Sequence, residues 1–140
     1  MPVSRVVLLF LVADFVSSYW LAVLFQVNHL GESINFPKMD PATKRVNIDW
    51  AELQIITALD YGHKSWFWTF ASGALNYQVT HHLFPGVSQY HYPAIAPIVK
   101  KTCKEHGIAY NEKETVWQAI ASHVSFLEKL GREPSDQKTL

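Results

Sequence analysis

Cysteine is almost absent from this 140-residue chain, Cys103 being the single one. One thiol excludes an internal disulfide framework and any CxxC metal site, and it fits a reducing, cytosol-facing environment. Excess charge is lacking too, since 12 basic side chains balance 12 acidic ones. With no basic stripe and no acidic run, the pattern points to no nucleic-acid partner and no solvating tail. No GxSxG, P-loop, GxGxxG or HExxH pattern occurs, so those motif-borne chemistries are not indicated. Internal repeats and low-complexity tracts are missing, and strand signals are weak throughout. What is abundant is apolar and aromatic matter, 49% and 14% of the chain, far from a disordered composition. Seven His and five Trp accompany it. At this length the chain is one domain at most.

The longest apolar run is Val6 to Val27, interrupted by Asp14, Ser17, Ser18 and Gln26. As a helix it would extend roughly 33 Å, enough to cross a bilayer core, and residues 5–27 are expected to be a transmembrane helix. Asp14 speaks for a buried soluble helix instead. In mid-membrane it would cost about 2.5–3.5 kcal/mol and would have to face a neighbouring helix or a polar cavity. Tyr19 and Trp20 do not sit at an end of the run, so they do not mark an interface. A signal peptide fits less well, because the run is long, Arg5 is the only basic residue before it and no small-residue cleavage site follows.

Helical periodicity continues beyond a polar loop at 28–47. Asp49 to Leu59 opens with Asp49 as N-cap and Glu52 three residues on, with Trp50, Leu53, Ile56 and Leu59 at helical spacing. Ser65 to Leu83 reads as one aromatic helix at a membrane surface or inside a bundle. Pro93 to His106 is amphipathic, with Ile95, Ile98, Val99 and Thr102 on one side and Gly107 as its stop. A last helix is expected over about Glu112 to Leu130, capped by Asn111 with Glu114 behind it. Its stripe is Trp117, Ile120, Val124 and Leu127. The expected class is all-α, a membrane-embedded helical bundle fragment with a cytosolic helical cap. Its parts are the span (5–27), a cap segment (28–110), a C-terminal amphipathic helix (111–131) and a tail (132–140).

The strongest local feature is Asn76-Tyr77-Gln78-Val79-Thr80-His81-His82. On a helix, Gln78 lies three residues from His81 and four from His82, so the three side chains reach one patch. Imidazole suits iron, zinc or copper. Adjacent histidines point about 100° apart, which suits two neighbouring ions better than one. An isolated His pair is more often structural; here the apolar helix around it should avoid polar groups unless they are used. His29, at the end of the expected span, is a second candidate that could reach inward. His91 is a turn residue that could donate from a second layer. His63 falls in a loop, His106 at a helix C-terminus and His123 on the polar flank of the last helix.

These residues carry a resemblance. Gln78-Val79-Thr80-His81-His82-Leu83-Phe84-Pro85, preceded by Trp66-Phe67-Trp68 and Gly73 to Tyr77, looks like the third histidine box, QxxHHLFP, of front-end (delta-4/5/6-type) membrane fatty acid desaturases. Val27-Asn28-His29, Asp49-Trp50, Tyr92-Pro93, Ala96-Pro97 and His106-Gly107-Ile108 follow in that family's order. The resemblance implies a non-haem di-iron centre that uses O2 and electrons from cytochrome b5, often a fused domain. The product is a cis double bond in a polyunsaturated fatty acyl chain carried as acyl-CoA or phospholipid. It implies that His81 and His82 are iron ligands, that His29 matches a further ligand, and that Gln78 is a ligand or close neighbour. Asn76 would orient the box. An endoplasmic reticulum membrane with the box on the cytosolic side is the implied location.

The departure from the family is large. HxxxH, HxxHH and the haem-binding HPGG are missing from the sequence, and three histidines cannot hold two irons. A fragment, a truncated gene product, or a chain completed by a second polypeptide would each account for this, and the chain alone is expected to be inactive. Other readings stay open at the level of sequence: a sphingolipid desaturase or related di-iron hydroxylase, a non-catalytic truncated membrane protein, or a small soluble helical metal carrier.

Overall fold

The apolar run near the N-terminus forms a single helix that outlasts the run. In the computed structural model, which describes residues 1–132, helix α1 spans Val3–His29. It is the one helix among the described residues long and apolar enough to cross a membrane, with a mean hydropathy of 2.1 over its best window. Residues 1–22, Asp14 included, are exposed, and burial starts only with Leu24, Val27 and Asn28. Trp20 ties the exposed stretch to the segment around Trp68 and Ala71. Its indole N–H donates to the Ala71 carbonyl at 2.9 Å, and its ring stacks on Trp68.

Helix α2 (Trp50–Ile56) begins as read, with the Asp49 carboxylate accepting from the Ala51 N–H at 2.9 Å. It is shorter than expected, and Trp50 points outward while Ile55 and Ile56 are buried. The expected single helix at 65–83 is broken. Helix α3 (Trp66–Ala71) is capped by Ser65, and helix α4 (Gln78–Leu83) follows a 3₁₀ turn at Leu75–Tyr77. Gly73 and Ala74 between them are both left-handed, with φ near 61°, which no helix can contain.

Helix α5 (Tyr92–His106) ends at Gly107 in a Schellman motif. The Ile108 N–H bonds to the Cys103 carbonyl at 2.9 Å and the Gly107 N–H to that of Lys104. Its packed face is Tyr92, Ala96, Val99 and Cys103, and Ile98 is exposed, so the expected stripe is rotated by about one residue.

Helix α6 (Val116–Arg132) starts later than expected. Asn111 is not its cap, because its amide donates to the Ile56 and Ala58 carbonyls. Thr115 and Gln118 cap it reciprocally instead, with the Gln118 N–H donating to the Thr115 hydroxyl and the Thr115 N–H to the Gln118 side-chain oxygen. The packed side is the small-residue one, Val116, Ala119, Ser122 and His123, while Trp117, Val124 and Leu127 face outward. His123 is buried, not on a polar flank, and its Nδ1 donates to the Leu30 carbonyl at 2.7 Å.

Residues 112–113 belong to a minimal parallel pair, β1 (Asp60–Tyr61) beside β2 (Glu112–Lys113), a small departure from the all-α expectation. The core has three parts. One joins the end of α1 to α6 and Tyr61, one joins α2, α4 and α5, and a small one gathers Ala74, Tyr77, Tyr92 and Ala96. Most of the expected tail, residues 133–140, lies outside the described residues.

Candidate metal centre

Helix α4 is pressed between α2 and α5, and its first turn is buried from Gln78 through Thr80. The end of α1 crosses the same place, which brings residues 49 positions apart into contact. The Gln78 amide nitrogen lies 3.1 Å from His29 Nε2 and 2.9 Å from His82 Nε2. The two imidazoles stack, 5.0 Å between centroids and 15° between planes. An amide nitrogen only donates, so both Nε2 atoms must be acceptors and both rings carry any proton on Nδ1. The amide is oriented from its other end, where the Asn28 Nδ2 donates to Gln78 Oε1 at 3.0 Å and to the Leu75 carbonyl at 2.9 Å.

Two imidazole lone pairs thus converge on one point, and that point is now satisfied by an uncharged donor. Such lone pairs are what a divalent metal takes. His82 is held in the required form: burial, followed by the neighbouring His29 and His81 rings, keeps its pKa below the usual imidazole value. Its Nδ1 is buried and has no hydrogen-bond partner. A ligating histidine ordinarily donates from that second nitrogen, commonly to a backbone carbonyl, and the Gln54 backbone acts on this ring.

His81 faces elsewhere. Its ring tilts 51° from that of His82, with 6.1 Å between centroids, and its Nδ1 meets the Tyr92 hydroxyl at 3.2 Å. Adjacent histidines diverge here as a helix requires. Among the described residues, no group of three or more His, Cys, Asp or Glu is placed to hold one ion. The donor set fits part of a metal centre, and other residues would have to complete it.

The remaining sequence candidates sort clearly. Asn76 is buried but bonds to Thr69 and Ser72 on the α3 side, so it braces the turn before the box. His91 stands exposed, edge-on to Tyr90, and makes no bond to the cluster. Trp66 and Phe70 line an open cleft of about 600 Å³, shared with His63, Tyr77 and Tyr90, and neither His81 nor His82 lines it. Sequence reasoning missed Asn28 and Tyr92, which make the polar contacts just described. It also missed Asp60, whose carboxylate accepts from the Val79 N–H at the start of α4 at 2.8 Å.

Comparisons with known proteins give the family. The family model described as "Fatty acid desaturase" matches residues 1–114. The acyl-lipid (8-3)-desaturase of Mortierella alpina is 50% identical over 137 residues, covering 98% of this chain and 30% of that protein. The Delta(5) fatty acid desaturase A of Dictyostelium discoideum is 47% identical, covering 89% and 28%. An acyl-lipid (8-3)-desaturase of Physcomitrium patens is 44% identical, covering 88% and 25%. The chain therefore spans less than a third of the length of these curated relatives. No solved structure matches it.

Proposed function

Because this chain belongs to the fatty acid desaturase family, we propose that it is the part of a front-end acyl desaturase that carries the third histidine box. The whole enzyme would place a cis double bond in a polyunsaturated fatty acyl chain, acyl-lipid or acyl-CoA. One observation carries the assignment: His29 and His82 turn their Nε2 lone pairs to a single point between α1 and α4.

In this reading His81, His82 and His29 hold iron together with histidines from the rest of the enzyme, and the iron supplies the O2 chemistry. Gln78 acts beside them, since its oxygen is occupied by Asn28 and its nitrogen orients two rings. Tyr92 holds His81 in position. Helices α2 and α5 close over the first turn of α4 and exclude water from it, which preserves the strength of every polar contact there. The exposed length of α1 is assigned to a membrane, with the box on its cytosolic side in the endoplasmic reticulum. Cytochrome b5 is assigned as electron donor. The domain reading stands with this proposal: residues 5–27 span, 28–110 form the cap segment, and 111–131 pack against it.

The test uses a chimera in which this segment replaces the matching segment of the Mortierella alpina relative, expressed in a host that lacks polyunsaturated lipids and is fed the precursor. The parent chimera is expected to form a new unsaturated product. His81→Ala and His82→Ala are each expected to abolish it while the protein still accumulates. Product from either variant would remove the ligand assignment. The 140-residue chain alone is expected to give no product.

A further inference from the structure

A second polar system lies under the box, and the chemistry above does not use it. Asp60 is completely buried on β1. One of its carboxylate oxygens accepts from the Val79 N–H at 2.8 Å. The other accepts from the Tyr110 hydroxyl and lies 3.0 Å from His63 Nε2, off the hydrogen-bond direction. His63 is itself held on two further sides. Its Nδ1 is 3.1 Å from a Glu112 oxygen, and its ring lies flat on Tyr77, 4.0 Å between centroids. Glu112 pairs with Lys100 of α5. The chain from surface to core is therefore Lys100, Glu112, His63, Asp60, Val79.

A buried carboxylate without partners is strongly unfavourable, so a protein keeps one only where its partners hold it. Here the partners are the Val79 N–H of α4 and the Tyr110 hydroxyl, with His63 of the loop after β1 alongside. Helix α4 also lacks a local cap: Tyr77 precedes it with no side-chain hydrogen bond to its free N–H groups. Asp60 supplies that cap from 19 residues upstream, and it does so one residue after Gln78 and two before His81.

We propose that Asp60, held by the Tyr110 hydroxyl with His63 beside it, is the positioning residue of the histidine box and fixes where α4 starts and how it is rotated. The inference rests on the desaturase reading of the box. Rotation of α4 decides whether His82 and Gln78 meet His29, and Asp60 is the side chain that holds a backbone N–H of the helix's first turn. A shift of about 1 Å at such a site can cost about 100-fold in rate without touching substrate binding.

The experiment uses the same chimera, purified with its iron. Asp60→Asn keeps an oxygen for the Val79 N–H but sets an amide nitrogen against Tyr110 and His63. It is expected to lower turnover about tenfold at unchanged KM and unchanged iron content, with a changed Mössbauer signature. Asp60→Ala removes the cap, and its expected loss is about 100-fold. If Asp60→Ala does not accumulate, Tyr110→Phe and Asp60→Asn are compared as turnover per bound iron. Parental turnover per iron in the accumulating variants, or a Mössbauer signature that does not move, overturns the proposal and leaves Asp60 as a stabilising residue only. The control is His81→Ala in the same background. If it keeps product, the desaturase reading itself has failed, whatever Asp60 does.

Discussion

The two ends of helix α1 are inside-out versions of each other. Over residues 1–22 the chain is apolar and exposed, with Phe10 67% and Phe15 72% accessible. Within the next two turns it enters a core whose fully buried side chains include Asn28, Asp60, Asn76, Gln78 and Thr80 beside Val27 and Val79. In water both halves would be wrongly built. Each large apolar side chain left outside forgoes about 1.5–3 kcal/mol of burial, and each buried polar group left unpaired costs about 1–3 kcal/mol. The first half calls for apolar surroundings, which the proposed membrane would supply. The second keeps polar groups in its core, among them the Asn28–Gln78 pair and the Asp60 carboxylate bonded to the Val79 N–H and Tyr110, which fits the proposed site.

A charge in the outer half should break the comparison most strongly. Leu11 is 56% exposed on α1. If that face meets water, Leu11→Lys should change little, within about 0.5 kcal/mol. If it meets hydrocarbon near mid-span, the cost is about 2.5–3.5 kcal/mol. A glycosylation-based insertion assay on residues 1–30 in microsomes reads this directly, and the expected result is a fall in the inserted fraction of that size. An unchanged fraction would return α1 to the soluble alternative.

The inner half is probed by Gln78→Leu, similar in volume but with nothing to offer Asn28, His29 or His82. Removing a group that orients ligands costs about 10–100-fold in metal affinity or activity. That is about 1.4–2.7 kcal/mol. Iron per chimera molecule and product formed should both drop. Full iron with full product would mean that the buried amide is packing alone.

The sequence displayed these halves unequally. Helix α1 was legible because a long apolar run needs no partner to be helical, and the His81-His82 pair because its spacing is local. The contact of Trp20 with Ala71 and Trp68 was not legible, because its partners lie about 50 positions away. Asn28, Tyr92 and Asp60 were not legible as site residues. Each acts on a residue at least 11 positions away, through contacts that no periodicity encodes. The face of α6 was misread for a different reason. Of its expected stripe only Ile120 packs against the core, while Trp117, Val124 and Leu127 turn outward and small residues turn inward, so hydropathy alone misplaced the face. The start of α6 was misplaced as well, because Asn111 and Glu114 have the spacing of a cap while Thr115 and Gln118 make it.

The smallest effect concerns the joint between the two halves. The aromatic helix α3 buries none of its residues, whereas α4 buries its whole first turn, and Gly73-Ala74 is where the chain passes from one to the other. A Cβ added at Gly73 meets no atom within 4 Å, so Gly73→Ala tests backbone strain and nothing else. With φ near 61° that strain should cost about 1 kcal/mol. In a thermal melt of the purified chimera this is a fall of a few degrees at most. Ala74 already bears the same φ, and Ala74→Gly should come out near neutral, since relief of strain is offset by about 0.8 kcal/mol of lost methyl burial against Tyr77 and Tyr92. If Gly73→Ala instead lowers turnover per iron far beyond its effect on the melt, the joint also sets the rotation of α4. Asp60 would then share that task with the turn before it.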